Sequence, residues 1–257
     1  MPQEIVRVES LGLSYKNIRA VTGVSFSVNS GEILAVIGQN GSGKTSTIEC
    51  VEGLRKPDGG SVSVFGKDPR LCRSEIYKQM GVQLQEAEYP QKIKVKELCA
   101  LFADFYKRPS DWVLLLKQMG LDNKTNRTVS KLSGGEKQRL SIILSLMGRP
   151  KLLILDELTT GLDPEVRRNI CAGFKTIKES GTAIIMVSHY LDEAEALADK
   201  ILYLEKGRQL FFGTQNEFRE YAFSRIPQNE RKENLSLEKL YLMIAPKTEG
   251  FTTEGIL

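Results

Sequence analysis

The stretch EILAVIGQNGSGKT, Glu32 to Thr45, decides how this chain is read. Its first half is a short uninterrupted apolar run, which suits a strand buried on both faces. Its second half, GQNGSGKT (Gly38–Thr45), has the spacing G-x-x-x-x-G-K-[ST] directly after that strand. Gly38, Gly41 and Gly43 let the backbone fold into a loop whose N–H groups converge on phosphate oxygens, and a following helix adds its positive N-terminal dipole. In that loop Lys44 is expected to neutralise the β- and γ-phosphates of a nucleotide and Thr45 to ligate Mg²⁺. Gln39, Asn40, Ser42 and Ser46 complete the expected nucleotide contacts.

Two more apolar runs precede acidic or polar turns: KLLILDE (151–157) and TAIIMVSH (182–189). Between them Asp163 is the expected N-cap, Pro164 the first helical residue and Gly181 the residue just past the helix. Strand, helix and strand in this order predict a mainly parallel sheet covered on both faces. The acid pair at the end of the first run fits beside a phosphate loop. Asp156 is expected to hold Mg²⁺, directly or through water, and Glu157 to act as the base or water-orienting carboxylate for attack on the γ-phosphate.

Two regions depart from the parallel pattern. VRVESLGLSY, VTGVSFSVNSG and GGSVSVFGKD alternate in the β manner and predict an antiparallel sheet at one side. From about Glu97 to Met147 the pattern turns helical, with Ser110 as the expected cap of DWVLLLKQM and a helix from Gly135 to Met147. A hairpin is expected around Lys206-Gly207. Beyond Gln215 the chain is charged and only partly periodic, and LSLEKLYLMI reads as one short helix before loose terminal residues.

Composition bounds the alternatives. The chain has 257 residues, 41% hydrophobic and 26% charged, which are globular values, and no apolar run approaches the roughly 18 residues of a membrane span. MPQEIVRVES lacks the order of a secretion signal, so the expectation is a cytoplasmic chain. Cys50, Cys72, Cys99 and Cys171 are scattered without a C-x-x-C pair, as expected of reduced thiols. A net charge of +4 is mild, and no basic-aromatic patch points to nucleic acid.

One segment exceeds what a single nucleotide needs. Ser133-Gly134-Gly135, at the start of a predicted helix, forms a second anion site. Either it is an ordinary cap, or it serves a nucleotide bound by another copy. LSGGEKQ (Leu132–Gln138), lying between the phosphate loop and LILDE, resembles the signature of the ATP-binding cassette (ABC) ATPases, and the resemblance extends to about residue 213. It implies an α/β P-loop NTPase core with a mainly parallel sheet, an N-terminal antiparallel β subdomain and a helical subdomain inserted at about 86–148. The ATPase domain would then be residues 1–213, with 214–257 a partly helical extension.

The resemblance also implies a head-to-tail dimer of cassettes, alike or different, each ATP lying between one chain's phosphate loop and the other's Ser133, Gly134, Gly135 and Glu136. By the same resemblance Tyr15 stacks on adenine, and Gln85 reaches Mg²⁺ and the attacking water. Leu162-Asp163 cross the dimer interface. His189, the single histidine, is open locally to a structural or a catalytic reading; the resemblance makes it the switch that contacts the γ-phosphate and aligns Glu157. Two positions depart from the commonest pattern: Glu136 stands where glutamine is frequent, and Leu158 replaces a proline.

The function implied is an ATPase that drives separate polytopic permease subunits from the inner face of the cell membrane. SHYLDEAEALADKILYLEKGRQLFFGT is most similar to cassettes of bacterial exporters for drugs, peptides or lipid-linked molecules. An importer cassette and a soluble ABC ATPase acting on ribosomes or DNA are the alternatives. The last class usually carries two cassettes or a long coiled-coil insertion, and neither is present in this sequence.

Overall fold

The computed structural model describes residues 3–83, 89–156, 164–188, 191–231 and 235–246. In chain order these form β1 (Glu4–Tyr15), β2 (Ile18–Asn29), β3 (Ile33–Ile37), α1 (Lys44–Val51), β4 (Gly59–Val64), α2 (Arg73–Ile76) and β5 (Met80–Val82). There follow α3 (Val95–Asp104), α4 (Trp112–Gln118), α5 (Gly134–Leu146), β6 (Leu152–Asp156), α6 (Pro164–Glu179) and β7 (Ala183–Val187). The chain continues through α7 (Leu191–Leu197), β8 (Lys200–Glu205), β9 (Arg208–Thr214), α8 (Gln215–Phe223) and α9 (Leu237–Ile244).

Among the described residues the strands form one sheet in the order β4-β1-β2-β9-β8-β3-β7-β6-β5. From β8 to β5 every neighbouring pair is parallel. The β1–β2 and β1–β4 pairs are antiparallel, as the alternating sequences required. The hairpin β8–β9 turns at Lys206 (φ 46°) and Gly207 (φ 77°), two positive angles that match the right-handed twist of the paired strands.

The parallel strands read as continuous apolar runs because both faces are covered. Along β3, Leu34 and Val36 join a core shared with α1 and the antiparallel strands, while Ile33, Ala35 and Ile37 join the opposite core. That second core also receives Ile170 and Phe174 from α6, and Phe218, Ala222, Leu237 and Leu240 from α8 and α9. A third core lies among α3, α4 and α5, built on Leu98, Leu116, Leu140 and Ile143.

Helix α5 joins the third core to the sheet. Its Ile142 and Leu146 face the second core, and its last turn lies against β5 so closely that a Cβ at Gly81 would be 2.0 Å from the Ser145 carbonyl oxygen. Backbone on backbone cannot yield as a flexible side chain would. Gly81→Ala is therefore expected to cost about 1–3 kcal/mol through overpacking, read as a lowered urea midpoint at unchanged m-value.

Three expectations for helices are corrected. Asp111, not Ser110, caps α4: its carboxylate accepts from the N–H groups of Val113 (3.0 Å) and Leu114 (3.2 Å). The Ser110 hydroxyl instead donates to the Leu146 carbonyl at 2.9 Å, tying this loop to the end of α5. Helix α5 spans Gly134–Leu146, one residue earlier at each end than expected, because Ser133 caps it. Among the described residues beyond β9 there are two α-helices rather than one, α8 being started by a capping box of Thr214 and Glu217. Among the described residues no helix is long and apolar enough to cross a membrane.

Candidate nucleotide site

Strand β3 ends at Ile37 and α1 begins at Lys44, so the phosphate loop occupies the turn between a buried strand and a helix N-terminus. Gly38 (φ 150°) has no room for a side chain: a Cβ there would lie 2.2 Å from the Leu204 carbonyl oxygen. Gly43 (φ 97°) stands at the N-cap of α1 in a left-handed conformation, and a Cβ would lie 2.6 Å from the Ala20 carbonyl oxygen. These contacts pin the loop to β8 and β2. Gly41 differs from both: it is exposed on the cleft, with open space where a Cβ would go, and only its left-handed backbone (φ 76°) calls for glycine.

Lys44 is nearly buried, and its ammonium donates to the carbonyls of Gly38 (2.8 Å) and Gln39 (3.0 Å). The cation thus sits inside the loop that it would help to fill with phosphate. The Ser42 hydroxyl is buried in the same loop with no hydrogen-bond partner among the described residues. An orphaned hydroxyl beside a cation and a helix N-terminus suits an anionic oxygen.

The loop opens into a cleft of about 440 Å³ that brings together Tyr15, Asn40, Gly41, Lys44, Thr45, Ser46 and Asp156. Thr45 is exposed and Asp156, at the end of β6, is half-buried, so a hydroxyl and a carboxylate share one cavity with the lysine. That donor set, two hard oxygens next to a phosphate-binding loop, suits Mg²⁺. Nearby, burial pushes the Glu52 carboxyl at the end of α1 up to about 7, with the charge of Asp156 as a second cause.

Tyr15 ends β1 on the rim of this cleft. Its hydroxyl bonds Glu49 (3.1 Å) and Ser46 (3.3 Å) on α1, and the Arg55 guanidinium lies 5.3 Å from its ring centroid. Sequence reading missed Ile18 and Arg19, which line the cleft from the start of β2. Only the β1–β2 hairpin brings them there, and no local motif marks them.

The segment expected to be a second anion site lies elsewhere: Ser133 is not among the residues lining the cleft. Ser133 and Gly134 are exposed at the start of α5, where a capping box closes the first turn. The Ser133 hydroxyl accepts from the Glu136 N–H (3.2 Å), and Glu136 accepts from the Ser133 N–H (2.8 Å). Glu136 also pairs with Lys124 at 3.2 Å, and its carboxyl is held below the usual range first by the Ser133 N–H. Glutamate therefore suits this position because its ionised carboxylate caps the helix.

Gln85, Glu157, Leu158, Leu162, Asp163 and His189 lie outside the described residues. The residues flanking His189 are bound together: the Ser188 hydroxyl donates to Glu193 at 2.9 Å, both side chains being buried. Burial pushes the Glu193 carboxyl up to about 7. The four cysteines are free, Cys50 and Cys99 buried and Cys72 and Cys171 half-buried.

Comparison with known proteins agrees with this fold. The model of the ABC transporter family matches residues 21–160. The chain is 32% identical over 218 residues to the Nod factor export ATP-binding protein I of Ralstonia nicotianae, covering 83% of this chain and 68% of that protein. It is 34% identical over 216 residues to the methionine import ATP-binding protein MetN of Mesorhizobium japonicum, covering 80% of this chain and 59% of that one. A solved structure of an ATP-binding subunit of an ABC transporter superposes with a TM-score of 0.83 at 26% identity, covering 93% of this chain and 98% of the other.

Proposed function

We propose, from the premise that this chain belongs to the ABC transporter family, that it is an ATP-hydrolysing subunit that powers export through separate membrane permeases. That it is an ATP-binding subunit and an ATPase follows from the family. The observation that carries the dimer is the surplus anion site. Ser133 and Gly134, at the start of α5, are exposed and do not line the cleft of Lys44, Thr45 and Asp156. A second cassette placed head to tail gives that turn a phosphate to bind, so two chains, alike or different, enclose two ATP molecules.

Within each site the loop amides and Lys44 would hold the phosphates, Tyr15 would stack on adenine, and Thr45, Asp156 and Gln85 would hold Mg²⁺. When bound, the ion would offset the negative charge of the phosphates. Glu157 would orient and deprotonate water, and His189 would contact the γ-phosphate. His189→Ala is expected to lower kcat about 10²-fold or more while ATP affinity stays within a few-fold. Near-normal turnover in a phosphate-release assay would return this imidazole to a structural role.

A groove of about 350 Å³ beside β5, lined by Tyr77, Val82, Phe102, Phe105 and Tyr106, supports coupling to a membrane partner. Phe105 is 72% exposed at its edge, an aromatic surface that a helix of the permease would cover. Such a contact supports a position on the cytoplasmic face of the membrane, with the helical subdomain of about 86–148 carrying it. Export of a drug, peptide or lipid-linked molecule is the favoured direction, supported by the Ser188–Thr214 segment and the Nod factor export relative. The similarity to MetN supports import as the second reading. Tagged in its own cell, the chain should co-purify with a polytopic membrane protein; ribosomal RNA without any such protein would overturn the transporter reading.

A further inference from the structure

We propose that the extension formed by α8 and α9 is a positioning element of the ATP site, holding the phosphate loop and the helix after His189 in one arrangement. The inference rests on the loop being the ATP site. Its first support is a hydrogen bond across 207 residues: the Gln39 side-chain amide donates to the Pro246 carbonyl, just past α9, at 2.8 Å. The backbone carbonyl of the same Gln39 accepts from Lys44. One residue of the loop therefore touches both the phosphate-binding cation and the extension.

A second support lies under the loop. Tyr203 on β8 is paired with Ile37, the last residue of β3 before the loop. Its buried ring meets Phe218 of α8 edge-on at 6.3 Å and Tyr241 of α9 at 5.5 Å. Packed aromatic edges of this kind transmit displacement, because a close-packed interior has no slack to absorb it.

The third support reaches α7. Its Glu195 pairs with Arg219 of α8 and accepts from the Leu237 N–H at 3.2 Å, and Arg219 also donates to the Leu235 carbonyl at 2.6 Å. Gln215 donates to the Ala194 carbonyl at 3.0 Å, near the end of the same helix. The extension is thus bonded to the loop at one end and to α7, which begins two residues after His189, at the other.

A loop held in a phosphate-ready shape binds with less ordering cost. Linkage makes the effect mutual: if docking of the extension favours ATP, ATP must tighten the docking by the same factor. A purely structural extension would lower thermal stability when loosened but leave nucleotide affinity alone.

The test uses the full chain with AMP-PNP and Mg²⁺, reading affinity by calorimetry and backbone exchange over 237–246 by mass spectrometry. In the parent, binding should slow exchange in α9. Gln39→Ala, which removes one hydrogen bond, should weaken binding about 3–10-fold and abolish the slowing. Arg219→Met, which leaves the loop's own residues intact, should shift affinity in the same direction while remaining folded by circular dichroism. An α9 whose exchange ignores nucleotide overturns the proposal. So does Arg219→Met if it speeds α9 exchange and binds like the parent. A parent that binds no AMP-PNP removes the ATP site itself and this inference with it.

Discussion

Glu157→Gln should bind ATP as the parent does, lose turnover by about 10²–10⁴-fold, and accumulate as an ATP-dependent dimer. The substitution keeps the volume and one acceptor oxygen but removes the capacity to take a proton from water. Binding should survive because the groups proposed for it are others: Lys44 in the loop, and Thr45 and Asp156 in the same cleft. If each ATP is enclosed by the loop of one chain and the α5 N-terminus of another, then a nucleotide that is not cleaved keeps the two chains together. Phosphate release in a single turnover reads the chemistry, and light scattering with and without ATP reads the assembly. Undiminished turnover would remove Glu157 from the reaction. A variant that stays monomeric at saturating ATP would count against the enclosed-nucleotide dimer, whatever its rate.

The parts of this fold that were legible in the sequence are those whose physics is local. Strands β3, β6 and β7 announce themselves because burial on both faces demands unbroken apolar runs. The phosphate loop is legible because Gly38 and Gly43 stand where backbone carbonyls leave no space for a Cβ, and Gly41 where the backbone turns left-handed. At Ser110-Asp111 two adjacent residues can each cap a helix, and the choice between them is made by the Leu146 carbonyl, a tertiary contact with no trace in the neighbouring sequence. Helix α8 carried its capping box, Thr214 and Glu217, in plain view, but its polar composition hid the face that buries Phe218 and Ala222. Arg19 in the cleft and Pro246 against Gln39 depend on long-range folding and could not be read from any window of sequence.

Ser133→Asp is the sharper test of which chain the α5 terminus serves. Aspartate is as good an N-cap as serine, so the bond to the Glu136 N–H can be kept and the helix should still start at Gly134. Ser133→Ala, by contrast, removes the cap at a cost of about 1 kcal/mol without adding charge. The two variants therefore separate fold from electrostatics. A carboxylate at this exposed turn would face the γ-phosphate of the partner's nucleotide, replacing a hydroxyl donor with a like charge. Loss of one such donor costs on the order of 10²–10³ in rate, and repulsion adds to it. Turnover of Ser133→Asp should thus fall at least that far, while the isolated chain keeps its ATP affinity because its own cleft is untouched. Mixing Ser133→Asp with a Lys44→Ala chain completes the argument. In a head-to-tail pair one composite site then carries both defects and the other carries neither, so part of the activity should return. If the mixture stays inactive although the two chains associate, Ser133 and Lys44 act within one chain, and the shared site is excluded.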